Sequence, residues 1–350
     1  MNNILLTGGA GFIGSHIAVN LITKGYKVSI LDSYINSKRT SINRIRNLIK
    51  KQCPDFLSNL TIYEGDLRDL NFVKNIFDQQ NDRGNMFDGV IHLAGLKAVG
   101  VSVNYPIEYW ECNVSSTLNL LKVMNQNECR KIIFSSSATI YNQTKNEKID
   151  ENCTIKPINP YGSTKAAVEQ ILLELFNSSS KLWNIINLRY FNPIGAHPSG
   201  LIGEEPQGKP NNIFPIILNV AADNTKILKI YGSDWSTYDG TGVRDYIHII
   251  DLAEGHLRAF EFLMKNKGVY LNLNLGTGIG TSVLDLVKIF EKSNNIKIPF
   301  SFIERRKGDV GFTVADNSLA KEILKWVPEK TISEMCIDGW RWKKNLKNYK

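Results

Sequence analysis

The chain has 350 residues, 43% of them hydrophobic, and a formal net charge of +8. That length buries a substantial core and fits one large domain or two linked ones. No apolar run approaches a membrane span, and no nucleic-acid recognition motif accompanies the positive charge, so both of those roles are set aside.

Five scattered cysteines, odd in number and without a C-x-x-C pair, point to free thiols in a reducing cytoplasm. The histidines are equally dispersed, and no metal site is expected. The short apolar stretch Ile4–Leu6 runs straight into Gly8, Gly9 and Gly11, unlike a secretion signal.

In chain order, short apolar runs alternate with amphipathic segments, the pattern of a parallel α/β sheet. Strands are expected at Asn3–Thr7, Lys27–Asp32, Leu60–Glu64, Gly89–Leu93, Lys131–Ser135 and Ile185–Tyr190. Helices are expected at Phe12–Lys24, Asp69–Gln80, Pro106–Asn127 and Pro160–Asn177. Asn159 followed by Pro160 reads as a cap and first helical residue, and Gly25 as a helix stop. The basic stretches Lys38–Lys51 and Arg341–Lys350 look exposed. Residues 191–246 turn rich in Gly, Pro, Asn and Asp. A helix at Asp251–Met264 and a strand at Tyr270–Leu275 could then return to the sheet, and residues 293–350 mix loops with two short helices.

Thr7-Gly8-Gly9-Ala10-Gly11-Phe12-Ile13-Gly14 joins the first strand to the first helix. Glycines at 8, 11 and 14 permit a tight turn, close approach to a pyrophosphate, and close helix–strand packing. The helix N-terminus adds amide groups and a positive dipole end for the phosphates. Asp32 follows 18 residues after Gly14, at the end of the second strand, where a carboxylate meets the adenosine ribose hydroxyls. It favours NAD over NADP, because a carboxylate repels a 2′-phosphate; Lys38 and Arg39 lie close by. The fold class is therefore α/β, a Rossmann-type doubly wound parallel sheet with a smaller C-terminal substrate-binding lobe. The expected division is a NAD-binding domain at 1–190 and a lobe at 191–350, with segments within 247–292 returning to the first.

A Tyr-x-x-x-Lys spacing occurs three times: Tyr34…Lys38, Tyr141…Lys145 and Tyr161…Lys165. On a helix the two residues share a face one turn apart. A tyrosine with a pKa of about 10 is a poor base, and a neighbouring ammonium brings it toward working range. The first pair sits beside the adenosine end, and the second lies in a polar, loop-like stretch. Only the third starts a convincing helix. Its partner is Ser135-Ser136-Ser137-Ala138-Thr139 at the C-terminal end of a strand, where α/β proteins bind ligands.

This combination resembles the extended short-chain dehydrogenase/reductase family, and within it the UDP-galactose 4-epimerases. The stretches that carry the likeness are TGGAGFIGSH (7–16), AGLKAVG (94–100), FSSSATIY (134–141), NPYGSTK (159–165), LRYFNPIGAHPSG (188–200), EEPQGKPNN (204–212), DGTGVRDYIH (239–248) and RRKGD (305–309). The resemblance implies that Gly8, Gly11, Phe12, Ile13, Gly14, Asp32, Asn36, Ser37, Asp66, Leu67, Leu93, Ala94, Lys97, Asn113, Tyr161 and Lys165 line NAD. It implies a catalytic set of Tyr161, Lys165 and Ser137, with Ser137, Thr139 and Tyr161 toward the sugar. Asn192, Asn212, Tyr231, Arg244, Arg306 and Asp309 would hold the UDP part, Tyr231 by stacking on uracil, and Thr313 would border the sugar's 2-substituent. It also implies a homodimer, through helices 106–127 and 160–177.

Three features depart from the family pattern. Asn142 stands for a glycine, Ser115-Ser116 for Asn-Gly, and Thr313 where tyrosine is frequent.

Three reactions compete. Epimerisation inverts carbon 4 of UDP-glucose or UDP-galactose through a 4-keto sugar and transient reduction of tightly held NAD. The related 4,6-dehydration needs a further acid and base, supplied in such enzymes by Asp-Glu directly after the central Ser or Thr. Here Ala138 and Thr139 stand there and cannot transfer those protons. A non-catalytic NAD-binding protein would be expected to lose Tyr161 or Lys165, and both are present. Epimerisation is the favoured reading, with N-acetylated UDP-sugars as a further substrate class.

Overall fold

The computed structural model of the chain describes residues 2–142, 147–178, 182–208, 210–223, 225–306 and 309–346. Lys145, Lys209, Lys307 and Gly308 of the motifs above lie outside the described residues.

The strands are β1 (Asn3–Thr7), β2 (Lys27–Asp32), β3 (Leu60–Glu64), β4 (Gly89–His92), β5 (Lys131–Ser137), β6 (Asn184–Tyr190), β7 (Asn192–Ile194), β8 (Leu228–Tyr231), β9 (Val243–His248), β10 (Tyr270–Leu275), β11 (Gly280–Ser282), β12 (Phe300–Ile303) and β13 (Phe312–Thr313). Seven form one sheet in the order β10-β6-β5-β4-β1-β2-β3. β1 pairs in parallel with both β2 and β4, so the order reverses at β1, the switch point where ligands bind in open α/β sheets. The central strands β1, β2, β4 and β5 are buried along nearly their whole length, as in parallel sheets covered on both faces. Leu5, Leu31, Val90, Ile132 and Phe134 are buried in one core with Leu120 and Trp183.

The chain divides into two compact units. The first comprises Met1–Ile140, Lys156–Arg189 and Ala253–Leu273; the second comprises Tyr141–Ile155, Tyr190–Leu252 and Asn274–Lys350. In the second, β9 is flanked by antiparallel β11 and parallel β13, and also pairs with β7. β8 and β12 form a separate parallel pair. Its core gathers Phe214, Ile217, Leu228, Phe290 and Met335.

Two stretches differ from expectation. Arg39–Gln52 is a helix. Its many charges conceal an apolar stripe, Ile42, Ile45, Leu48 and Ile49, whose 3–4 residue spacing buries one face. The expected single helix at Pro106–Asn127 is instead Pro106–Trp110, a π-helical turn Glu111–Ser115, and Ser116–Gln126. Such turns often mark functional positions, and this one carries Asn113. Ser116, at its end, donates to Cys112 O at 2.6 Å, so this departure from the family pattern is absorbed by local hydrogen bonding.

Candidate active site

In the first unit the glycine loop is tightly packed against the start of the first helix. Gly8 has φ +72°, and a Cβ there would lie 2.8 Å from Ala94 N. A Cβ on Gly14 would lie 2.4 Å from Gly8 O, so this glycine lets the helix Phe12–Thr23 sit against the turn. By contrast a Cβ on Gly11 would meet only Gly8 O, at 3.3 Å. That helix begins with no side-chain cap and no acidic residue in its first turn. Its N-terminal dipole is therefore left for an anion.

Asp32 is buried at the end of β2. Its Oδ2 accepts from Ala10 N at 2.9 Å, and its Oδ1 from Tyr34 N at 2.9 Å and Ser37 Oγ at 2.8 Å. The carboxylate is thereby fixed in orientation with lone pairs left for ribose hydroxyls. These features fit a dinucleotide. Asp32→Ala should weaken NAD retention and narrow the preference over NADP; release of NADP from denatured wild-type protein would show that Asp32 has been misread.

Other members of the expected lining have internal duties. Asn36 Nδ2 donates to Gly95 O at 3.2 Å. Asp66 pairs with Arg68 at 2.7 Å, and the Leu67 side chain belongs to the core. Leu93 N and Ala94 N donate to Thr7 Oγ1, and Lys97 is exposed. Asn113 accepts from Leu96 N at 2.7 Å and donates to Leu96 O and Thr164 Oγ1 at 3.0 Å each. It thus ties the loop after β4 to Thr164 on the helix Pro160–Ser178, and a Cβ on Gly95 would meet its Oδ1 at 2.7 Å.

The helix Pro160–Ser178 starts as read from the sequence, with Asn159 Oδ1 accepting from Gly162 N at 2.9 Å. Tyr161 and Lys165 lie one turn apart on it, the Lys165 Nζ 5.9 Å from the Tyr161 ring centre. β5 runs two residues past its expected end, which brings Ser137 into the strand and next to Tyr161. Thr139 Oγ1 donates to Ser137 Oγ at 2.9 Å, and Ser137 hydrogen-bonds the Tyr161 hydroxyl.

Burial pushes the Tyr161 phenol up to about 12, against which the Ser137 hydrogen bond pulls down. Burial likewise pushes the Lys165 ammonium down to about 7, opposed by Glu169. Its Nζ donates to Ser135 O at 2.6 Å. His92, held between Thr7 Oγ1 and Thr117 Oγ1 at 2.7 and 2.8 Å, is kept neutral by burial and then by Lys165, at about 3.

The tyrosines of the two other Tyr-x-x-x-Lys spacings lie outside helices, and Lys145 lies outside the described residues. Tyr34 sits in the left-handed region at φ +57°, outside any helix. The Tyr141 hydroxyl donates to Asn274 Oδ1 at 2.8 Å.

In the second unit, Arg244 on β9 donates to Asp309 Oδ1 at 2.6 Å and to Val310 O at 2.8 Å. Thr313 is the register partner of Arg244, and Asn192 of Tyr246 two residues along β9. Paired parallel residues face one side, so Asn192, Arg244 and Thr313 share a face. Asn212 caps the helix Ile213–Ala221 through its backbone position, while its side chain makes no cap hydrogen bond. Arg306 lies over the Tyr231 ring, 3.8 Å from its centre. Sequence reasoning assigned the two to different parts of one ligand and missed this stack. It also missed Glu169, Arg189 and His92, although the i, i+4 spacing of Lys165 and Glu169 was a usable signal.

A family model described as GDP-mannose 4,6 dehydratase matches residues 5–338. A UDP-glucose 4-epimerase from Bacillus subtilis (strain 168) is 44% identical over 348 residues, covering 99% of this chain and 98% of that one. This chain belongs to the UDP-glucose 4-epimerase family. Solved UDP-glucose 4-epimerases agree. The structure from Stenotrophomonas maltophila, with bound NAD and formylated UDP-arabinopyranose, matches with a TM-score of 0.93 at 38% identity over 100% of both chains. That from Bifidobacterium longum, in complex with NAD+ and UDP, matches with a TM-score of 0.91 at 43% identity over 99% of each chain.

Proposed function

We propose that this protein interconverts UDP-glucose and UDP-galactose by inverting carbon 4, using NAD that it keeps bound. The observation that carries this reading is the Ser137–Tyr161 hydroxyl pair with Lys165 one helical turn behind Tyr161. When bound, NAD supplies the hydride acceptor and donor at carbon 4 and a positively charged ring. Gly8, Gly11 and Gly14 would hold its pyrophosphate, and Asp32 its adenosine ribose. Tyr161 takes the proton of the sugar's 4-hydroxyl and returns one after inversion, and Ser137 holds that oxygen. A phenol at about 12 is a poor base at neutral pH, so the ammonium of Lys165 is needed to favour its ionised form.

Arg244 and Arg306 suit the two phosphates, with Asn192, Asn212, Tyr231 and Asp309 as the remaining UDP contacts. Thr139 completes the hydroxyl chain to the sugar. Ala138 and Thr139 stand where a dehydratase needs its second acid and base, which separates this chain from the reaction named by its family model. The product mass tests this: a UDP-hexose of unchanged mass supports inversion, and loss of one water overturns it.

Thr313 supports a wider substrate range that takes in UDP-GlcNAc and UDP-GalNAc. A phenol ring at this position would fill the space an acetamido group sweeps as the keto sugar turns. That Phe312 alternates to the other side of the strand, its ring near Gly280, supports this reading over one in which Phe312 fills the space. Wild type should turn over both UDP-galactose and UDP-GalNAc. Thr313→Tyr should lose about tenfold or more on UDP-GalNAc alone, since a misfitting group costs about 1–3 kcal/mol. A wild type that ignores UDP-GalNAc sinks the idea.

We also infer a homodimer. Val103, Tyr105, Ile107 and Trp110 expose a run of large apolar side chains on the helices Val99–Asn104 and Pro106–Trp110, with Ile107 at 70%. A monomer rarely leaves such a patch uncovered. Sedimentation should return about twice the 39.5 kDa chain mass, and Ile107→Glu should return it to one. Among the described residues no helix is long and apolar enough to cross a membrane, and all five cysteines are free, which supports a cytoplasmic location.

A further inference from the structure

Behind Lys165 lies a buried ion pair that the acid–base chemistry above does not use. Glu169 follows Lys165 by one helical turn, and Arg189 reaches it from β6. Arg189 Nε donates to Glu169 Oε1 at 3.0 Å and its Nη2 to Oε2 at 2.7 Å. Ser136 Oγ, on β5, donates to the same Oε1 at 2.5 Å. The side chains of Arg189 and Glu169 are 1% and 5% exposed. A bidentate pair this dry contributes little to stability compared with an apolar packing of the same volume, so its presence asks for another reason.

We propose that the Glu169–Arg189 pair is a positioning device that keeps Lys165 in its ammonium form and so sets the pH range in which Tyr161 works. The proposal rests on the acid–base reading of Tyr161 and Lys165. Three steps link the groups. Arg189 and Ser136 fix the Glu169 carboxylate in place by three hydrogen bonds in a buried site. Glu169 then offers its negative charge to Lys165 across one helical turn. Lys165, kept charged, lowers the cost of the Tyr161 phenolate.

The other groups facing Lys165 cannot substitute for Glu169. Ser135 O accepts from Nζ but carries no charge, and the Phe134 ring lies 4.7 Å from Nζ. His92 is kept neutral by burial and then by the Lys165 cation, so it has no negative charge to offer. Tyr161 is the group being served, and the Tyr109 hydroxyl donates to Ala98 O at 2.7 Å. Tyr270 donates to the Glu169 main-chain O at 3.1 Å and so holds the backbone of the pair.

The test uses the purified enzyme with its bound NAD and four proteins: wild type, Glu169→Gln, Glu169→Gln/Arg189→Met, and Tyr161→Phe. Glu169→Gln keeps shape and removes the charge. The double variant replaces the whole pair and serves if the single one, with Arg189 deprived of the Glu169 charge, does not fold. Turnover on UDP-galactose is followed against pH, and the phenolate absorbance is titrated in parallel, with Tyr161→Phe as the blank.

Both variants should move the acid limb of turnover, and the Tyr161 phenolate titration with it, upward by about one pH unit or more, which lowers turnover about tenfold near pH 7. KM should stay within about twofold, because UDP binding is not touched. A folded variant that retains NAD, with an unmoved limb and an unmoved phenolate titration, overturns the proposal. A merely structural pair would change melting temperature and NAD content without moving either. Should Tyr161→Phe itself keep wild-type turnover, it is the acid–base reading that fails instead.

Discussion

Tyr161→Phe should reduce turnover on UDP-galactose by roughly 100-fold or more, the range for a lost general acid–base group. The substitution keeps the ring and removes only the proton that must move. The helix start fixed by Asn159 and the placement of Lys165 do not depend on the phenol oxygen, so melting temperature and bound NAD should stay near wild type. The decoys respond differently. Tyr34→Phe should leave turnover unchanged. Tyr141→Phe should also leave it unchanged but cost about 1 kcal/mol of stability, because it strands Asn274 Oδ1 without its donor. Near wild-type turnover in Tyr161→Phe would assign the chemistry to another group.

Gly14→Ala should remove bound NAD and lower the melting temperature, although it adds a single methyl group. The new Cβ would lie 2.4 Å from Gly8 O and 2.6 Å from Gly9 Cα. Both are backbone atoms of the glycine turn, so relief means moving the helix off the turn. Overpacking of this kind costs about 1–3 kcal/mol or more. Gly100→Ala is the control: nothing lies within 4 Å of its Cβ, in a helix where alanine is preferred. Melting curves and the nicotinamide content of both proteins decide the matter. Full NAD content and an unchanged melt in Gly14→Ala would contradict the packing account of this turn.

What was legible in the sequence follows from how each element is stabilised. β1 and β2 coincide with their expected bounds, because strands buried on both faces read as largely apolar runs bounded by turn residues; β3, a half-buried edge strand, keeps its bounds too. The glycine loop and the Tyr161–Lys165 helix were legible because their geometry is local. Elements decided by contacts distant in sequence were not. The Arg39–Gln52 helix is masked by its charges. The π-helical turn at Glu111–Ser115 has no periodicity of its own; within it Asn113 bonds Leu96 and Thr164. The same holds at the site. Arg244 and Arg306 were identified as cations for a diphosphate, but nothing near them in sequence foretold the Asp309 partner or the Tyr231 stack. Glu169 finds Arg189 on another strand, 20 residues away.

The most direct measurement of the central claim is to incubate the purified protein with UDP-galactose and no added cofactor. UDP-glucose should appear and approach a fixed ratio with UDP-galactose, with no net build-up of reduced nicotinamide. No conversion by folded protein shown to contain NAD, or conversion that proceeds only as added NAD is consumed, would contradict it.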